Sequence, residues 1–516
     1  MRLTMKTITK NKLWLWAAGV LLLAGLGVLA YFLIPGLHKP VAAPAVMYWP
    51  TNGWRTSTPE AQGFDSVKLV QGLQTLQGHS TINSLLIIRN GYVVLDAYFY
   101  PYEESFPHKM ESVTKSVTTS LIAIAADQGK LRLDQSMVSY FPDRTIANLD
   151  DRKTRITVRH LAGMVNGMLS GCLSGDVSTL HALQSYPDWV QAALDRKMVN
   201  EPGEYFCYDS PGMHLLSAIL QETTGMTEFD FARQYLFGPL GIQDVFWESD
   251  PQGYTDGWGD LWLKPRDAAK LGYLFLNHGM WDGQQIISED WVADAVKVHI
   301  ETGVSDNYGY GWWVSKDSYM AVGHWGQYIR VYPSANAIVV ITATADGFDY
   351  KTIEPILGAA FVSPDKPLPD NPEGVAKLNT LLAKLTQGPG SEPVASLPDL
   401  AREVSGKAYD CEPNSVNVTR LRIEFNDPAE AKLYISYKDS ADVIWPIGLD
   451  GKYRMCPEWK GVRGYWEDSQ TFTFQAFYNL GLLNRHLQFQ GDQLVVNLPD
   501  MNLKFTCYEH LASASR

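Results

Sequence analysis

The chain has 516 residues and a formal net charge of −13, with 46% hydrophobic and 19% charged residues. Nucleic acid is excluded as a partner because phosphate binding needs a basic face, and the apolar fraction supplies more than one core without the bias of a disordered chain. Five cysteines, Cys172, Cys207, Cys411, Cys456 and Cys507, are too few for a disulfide scaffold, and the absence of His-Glu-x-x-His and Cys-x-x-Cys patterns argues against a metal site. No cofactor is expected.

The N-terminus reads as a membrane signal. Leu13 through Ile34 carry no charge. At about 1.5 Å per residue they can cross a hydrocarbon core of about 30 Å. Arg2, Lys6, Lys10 and Lys12 precede them, which keeps a basic tail, residues 1–12, in the cytoplasm. The expectation is a single-pass anchor over 13–34 in the inner (cytoplasmic) membrane, with everything after it on the periplasmic side. Ala43-Pro44-Ala45 is compatible with cleavage, but the apolar run is long for a signal-peptide core, so an uncleaved anchor is the reading.

Ile82–Arg89, then Asn90-Gly91, then Tyr92–Leu95 predict a hairpin with a tight turn. Next comes Ser112-Val113-Thr114-Lys115, just before the apolar run Val117–Ala126. A spacing of three residues puts hydroxyl and amine on one helical face, a nucleophile beside its base. The helix should start near Ser112, where unpaired N–H groups favour developing negative charge, and end before Gly129. Because the run is apolar nearly all round, the helix should be buried and Lys115 partly desolvated. Lowering an amine from about 10.4 to about 7 takes roughly 4 to 5 kcal/mol, which such burial can supply.

Further along, Pro202–Ser210 leads into the helix pattern Leu215, Leu216, Ile219, Leu220, placing Tyr208 and Ser210 on a loop at a helix entrance. Asp256-Gly257-Trp258-Gly259-Asp260 reads equally as a glycine-rich turn or as pocket lining. Gly323-His324-Trp325-Gly326-Gln327 opens a second hairpin, Tyr328–Tyr332 and Ala337–Ile341. Gly326 leaves room for a substrate along that strand, and the N–H of Gln327 can face a carbonyl oxygen. Taken singly, Tyr208 reads as a packing residue and His324 as a structural histidine. Their order behind Ser112 and Lys115 is what joins them into a site.

Prolines 364, 367, 369, 372, 389, 393 and 398 mark residues 363–405 as a linker around a short helix pattern, Val375–Leu385. Strand-like runs with frequent turns then predict a small all-β domain over 406–510, either a barrel or a sandwich. Its expected role is packing against the preceding domain or binding a cell-envelope component.

These three segments resemble the serine hydrolases related to class C β-lactamases, penicillin-binding DD-peptidases, esterases and 6-aminohexanoate-dimer hydrolases. Ser112-Val113-Thr114-Lys115 is similar to S-x-x-K, Tyr208-Asp209-Ser210 to Y-x-N or Y-x-S, and His324-Trp325-Gly326 to K-T-G or H-x-G. The resemblance implies an α+β fold over about 50–362, with an antiparallel sheet flanked by helices. It also implies that Ser112 is the nucleophile, that Lys115 and Tyr208 share the acid–base work, and that the N–H groups of Ser112 and Gln327 bind the oxyanion. Ser210, His324 and Gly326 would meet the substrate. Ser210 lacks the amide of asparagine, Trp325 lacks the hydroxyl of threonine, and the charge of His324 depends on pH. These departures favour a small ester, amide or peptide substrate over a β-lactam. Two alternatives stand beside this reading: a true β-lactamase, and a catalytically idle penicillin-binding-like protein that recognises an envelope ligand.

Overall fold

The computed structural model describes residues 48–77, 81–344, 350–387, 390, 392–438, 441–456, 461–478 and 481–510. The expected anchor over 13–34 and the basic tail before it lie outside these residues. Among the described residues no helix is long and apolar enough to cross a membrane.

The first sheet is assembled from strands at both ends of its domain. They are β1 (Arg55–Thr56), β2 (Ile82–Arg89), β3 (Tyr92–Tyr98), β4 (Asn307–Tyr308), β5 (Trp313–Val314), β6 (Tyr319–Gly323), β7 (Gln327–Tyr332) and β8 (Ala337–Ala343). Their order is β1-β3-β2-β8-β7-β6-β5-β4. Pairing is antiparallel throughout except at the short edge strand β1, which runs parallel to β3. Asn90 and Gly91 both take positive φ, 50° and 74°, the geometry a two-residue hairpin turn requires.

Helices cover both faces. They are α1 (Ser66–Leu76), α2 (Thr114–Asp127), α3 (Cys172–Gln184), α4 (Ser210–Thr224), α5 (Pro265–Leu276) and α6 (Pro372–Gln387). Alternate residues of β2 go to opposite cores: Leu86 and Ile88 join Leu121, Leu215 and Leu274 on one side, while Leu85 and Ile87 join Leu69, Leu73, Leu378 and Leu381 on the other. Burial on both faces explains why the strand is a continuous apolar run rather than an alternating one. The proline-flanked segment thus contributes a 16-residue helix, α6, whose Leu378, Leu381 and Leu385 pack on the outer face of the sheet.

α2 runs through the centre of the domain, with every residue from Thr114 to Ala125 buried. It is preceded by one 3-10 turn, Glu111–Val113, and followed by Gly129 at φ 71°. Ser112 therefore sits at the mouth of a helix whose body is packed on all sides.

The C-terminal part is a β-barrel of ten strands: β9 (Ala408–Cys411), β10 (Val418–Glu424), β11 (Glu430–Tyr437), β12 (Val443–Gly448), β13 (Arg454–Met455), β14 (Gly461–Trp466), β15 (Thr471–Tyr478), β16 (Gly481–Gln490), β17 (Gln493–Leu498) and β18 (Leu503–Glu509). The otherwise antiparallel order closes through a parallel pairing of Gly448 in β12 with Arg463 in β14. Leu421, Phe472, Phe489 and Phe505 fill the interior, and a disulfide between Cys411 and Cys507 joins β9 to β18. The barrel touches the first domain through Tyr453. Its N–H donates to the Tyr100 hydroxyl at 2.8 Å, and its ring packs against Tyr102 and Phe106.

Candidate active site

Glu111 adopts φ 49°, a left-handed conformation that costs a non-glycine residue about 1–3 kcal/mol and turns the chain sharply into α2. The next residue is Ser112. One turn on, Nζ of Lys115 lies 2.7 Å from Ser112 Oγ and 2.8 Å from the carbonyl oxygen of Trp258. Lys115 is only 1% exposed. Burial holds its amine down to about 8, although the carboxylates of Asp176, Glu111, Asp260 and Asp209 pull in the opposite direction. At pH 7 roughly a tenth of such an amine is neutral, some 300-fold more than at an exposed lysine.

Tyr208 arrives from the loop before α4. Its hydroxyl hydrogen-bonds Ser112, and Lys115 Nζ lies 4.9 Å from its ring centre. Burial pushes the phenol up, so it stays protonated at neutral pH. Three restraints fix this loop. Cys207 is disulfide-bonded to Cys172. Asp209 accepts from both terminal nitrogens of Arg196 and, at 2.7 Å, from Asn166 Nδ2. The Tyr208 ring also stacks on Trp313, with centroids 5.9 Å apart.

Ser112, Tyr208, Ser210, His324 and Gly326 line one open cleft of about 720 Å³, within the usual range for a small-molecule site. His324 is exposed at its rim, 4.7 Å centroid to centroid from Trp325. Trp325 and Gly326 take φ 57° and 90°, the bend that carries the chain from β6 into β7. The Gln327 side chain turns away: it is 2% exposed and its amide nitrogen donates to the Ala343 carbonyl at 2.6 Å, and Gln327 is not among the residues lining the cleft, although its neighbours Gly326 and Tyr328 are. Ser210 lines the cleft as expected, and Asp176 orients it. It donates its hydroxyl to Asp176 Oδ2 at 2.6 Å and its N–H to Oδ1 at 2.8 Å.

Asp176 is the residue that sequence reasoning missed. It sits on α3, which is tied through Cys172 to the residue next to Tyr208. A Cys172–Cys207 bridge between two loops of the site is one pairing the sequence permits without settling it, and once it is formed four residues of helix bring Asp176 into the cleft. Loop 256–260 proves to be wall rather than surface turn. Thr118 donates to the Gly257 carbonyl at 2.7 Å, Lys115 holds the Trp258 carbonyl, and Asp260 pairs with Lys109 at 2.5 Å. Glu111, pushed up to about 7 mainly by burial, completes an acidic margin. Among the described residues no group of three or more His, Cys, Asp or Glu is placed to hold a metal ion.

A family model described as Beta-lactamase matches residues 69–360, more than half of the chain. An uncharacterised protein of Alkalihalophilus pseudofirmus is 22% identical, over 52% of this chain and 86% of its own length. The 6-aminohexanoate-dimer hydrolase of Paenarthrobacter ureafaciens is 19% identical, over 50% and 71%. Protein flp of Staphylococcus aureus is 25% identical over 32% of this chain, which spans 35% of that relative's length. Among solved structures, a Bacillus anthracis protein assigned as a 6-aminohexanoate-dimer hydrolase gives a TM-score of 0.51 at 18% identity, covering 67% of this chain and 91% of its own. EstCE1, a hydrolase with promiscuous acyltransferase activity, gives 0.50 at 18% identity, covering 57% and 99%. At such identities these structures share a fold with this chain.

Proposed function

Because the chain belongs to the Beta-lactamase family, we propose that its cleft is that of a serine hydrolase working through a covalent acyl-enzyme on a small ester, amide or peptide. The observation that carries this reading is the 2.7 Å approach of a fully buried Lys115 amine to the Ser112 hydroxyl. In its neutral form the amine takes the Ser112 proton as Oγ attacks the substrate carbonyl carbon. The backbone N–H groups of Ser112 and Gln327 receive the oxyanion. Losing one such donor typically costs about 2.7–4 kcal/mol of transition-state stabilisation. Tyr208, neutral and bonded to Ser112, hands its proton to the leaving group and recovers the one held on Lys115. Water then attacks the acyl carbonyl as the amine takes its proton, and that proton passes to Ser112 Oγ as the acid leaves.

Esters and linear amides fit this cleft better than β-lactams. A carboxylate beside the scissile bond would face Glu111, Asp176 and Asp260, while Lys109 is already committed to Asp260. The names of the relatives point the same way, one a dimer hydrolase and one a hydrolase with acyltransferase activity.

The reading extends to location: a single-pass anchor over 13–34 with the hydrolase domain exported. Two disulfides, Cys172–Cys207 and Cys411–Cys507, support it, since such bonds persist in oxidising compartments.

The test is a substrate panel of an activated ester, a linear amide, a D-Ala-D-Ala peptide and a penicillin, with Ser112→Ala as control. Ester or amide turnover that Ser112→Ala abolishes is expected. Rapid penicillin turnover with poor ester turnover would assign the cleft to β-lactams, and no turnover of any member would favour an idle binding protein.

A further inference from the structure

One wall of the cleft carries, beside Asp176, side chains that take no part in this chemistry. α3 buries only Asp176 and Leu183 among its 13 residues. Leu173, Val177 and Leu180, spaced four and three apart, fall on one face of the helix and all line the cleft that holds Ser112. Leu173 is 41% and Val177 48% exposed, so this part of the face is open to solvent, while Leu180 also packs against the core. Trp313 and Trp325 line the same cleft. A helix face of this kind, left wet, costs free energy that a ligand lying on it would recover. Because the face borders the same cavity as the nucleophile, whatever covers it is continuous with the group being attacked.

We propose that this wall is a subsite for an apolar chain of the substrate, joined to the scissile carbonyl and running along Leu173, Val177 and Leu180. The inference rests on the hydrolase reading above and narrows its substrate class to esters or amides with an aliphatic or aromatic tail. The acyl part or the leaving group can supply that chain, and both present the same chemistry to the helix.

Two ester series decide between these sources: p-nitrophenyl acyl esters from acetyl to octanoyl, and acetate esters of alcohols of the same range. In one series kcat/KM should rise by about two- to fourfold per methylene over the first several carbons, fourfold being equivalent to about 0.8 kcal/mol per buried CH2. Val177→Asp should flatten that rise, whereas Val298→Asp, at a residue 42% exposed and off the cleft, should retain it. Ser112-dependent acetate turnover with no chain-length dependence in either series would overturn the subsite and leave the hydrolase reading intact. Absence of Ser112-dependent turnover of any ester would overturn both. Equal slopes in wild type and Val177→Asp would place the chain elsewhere and refute this wall.

Discussion

Ser210 gives both its hydroxyl and its backbone N–H to one carboxylate, Asp176, at 2.6 and 2.8 Å. That pairing fixes the orientation of a side chain that lines the cleft. It leaves Asp176, buried and facing Lys115, as the charge that speaks for this corner of the cleft.

The first prediction concerns pH. Asp176 heads the charges that raise the Lys115 amine against the lowering effect of burial. Replacing it with Asn removes that charge while keeping an acceptor for Ser210, so the amine becomes neutral at lower pH. The wild-type acid limb of kcat/KM for an activated ester should have its midpoint near pH 8. In Asp176→Asn it should shift downward, and an unmoved midpoint would mean that Asp176 acts only through packing.

Lys115→Met separates function from stability. Removing the base should lower kcat/KM by about 10²–10⁴-fold. The fold should survive at a cost of about 1–3 kcal/mol, because the Trp258 carbonyl loses its donor while a buried amine is also removed. The folded amine titrates near 8, below the 10.5 of an exposed lysine. Across that window the unfolded chain binds more protons, so this residue makes stability rise with pH, and its penalty is full below about 8. Chemical denaturation at several pH values should show that contribution in wild type and its loss in Lys115→Met.

The loop that carries Tyr208 depends on Asp209, 1% exposed, and on Arg196. Asp209→Ala leaves a nearly buried guanidinium uncompensated, a defect that typically costs about 3–5 kcal/mol. Calorimetry should find a melting temperature several degrees lower. An unchanged melting temperature would show that the loop is held without this pair.

Much of this architecture was legible because it depends on local pattern. The turn at Asn90-Gly91, the buried run after Ser112 and the loop before Leu215 each announce their conformation within a few residues. What escaped was long-range. Nothing near Asp176 marks it, since α3 has too few buried residues to show a clear period, and its place follows from a disulfide between cysteines 35 residues apart in sequence. Prolines around 363–405 suggested a linker, yet Leu378, Leu381 and Leu385 use the outer face of the sheet, a surface created by strands nearly 300 residues earlier. Loop 256–260 was ambiguous because the bond that makes it a wall, from Lys115 to the Trp258 carbonyl, joins backbone to a residue 143 positions away.

The central claim is that a buried amine makes the Ser112 hydroxyl nucleophilic. Intact-protein mass spectrometry with peptide mapping after treatment at pH 8 with a fluorophosphonate tests it most directly. The account predicts one covalent adduct, on Ser112, formed far more slowly in Lys115→Met and absent in Ser112→Ala. An adduct that persists in Ser112→Ala, or a wild-type protein that takes up no label, would contradict it.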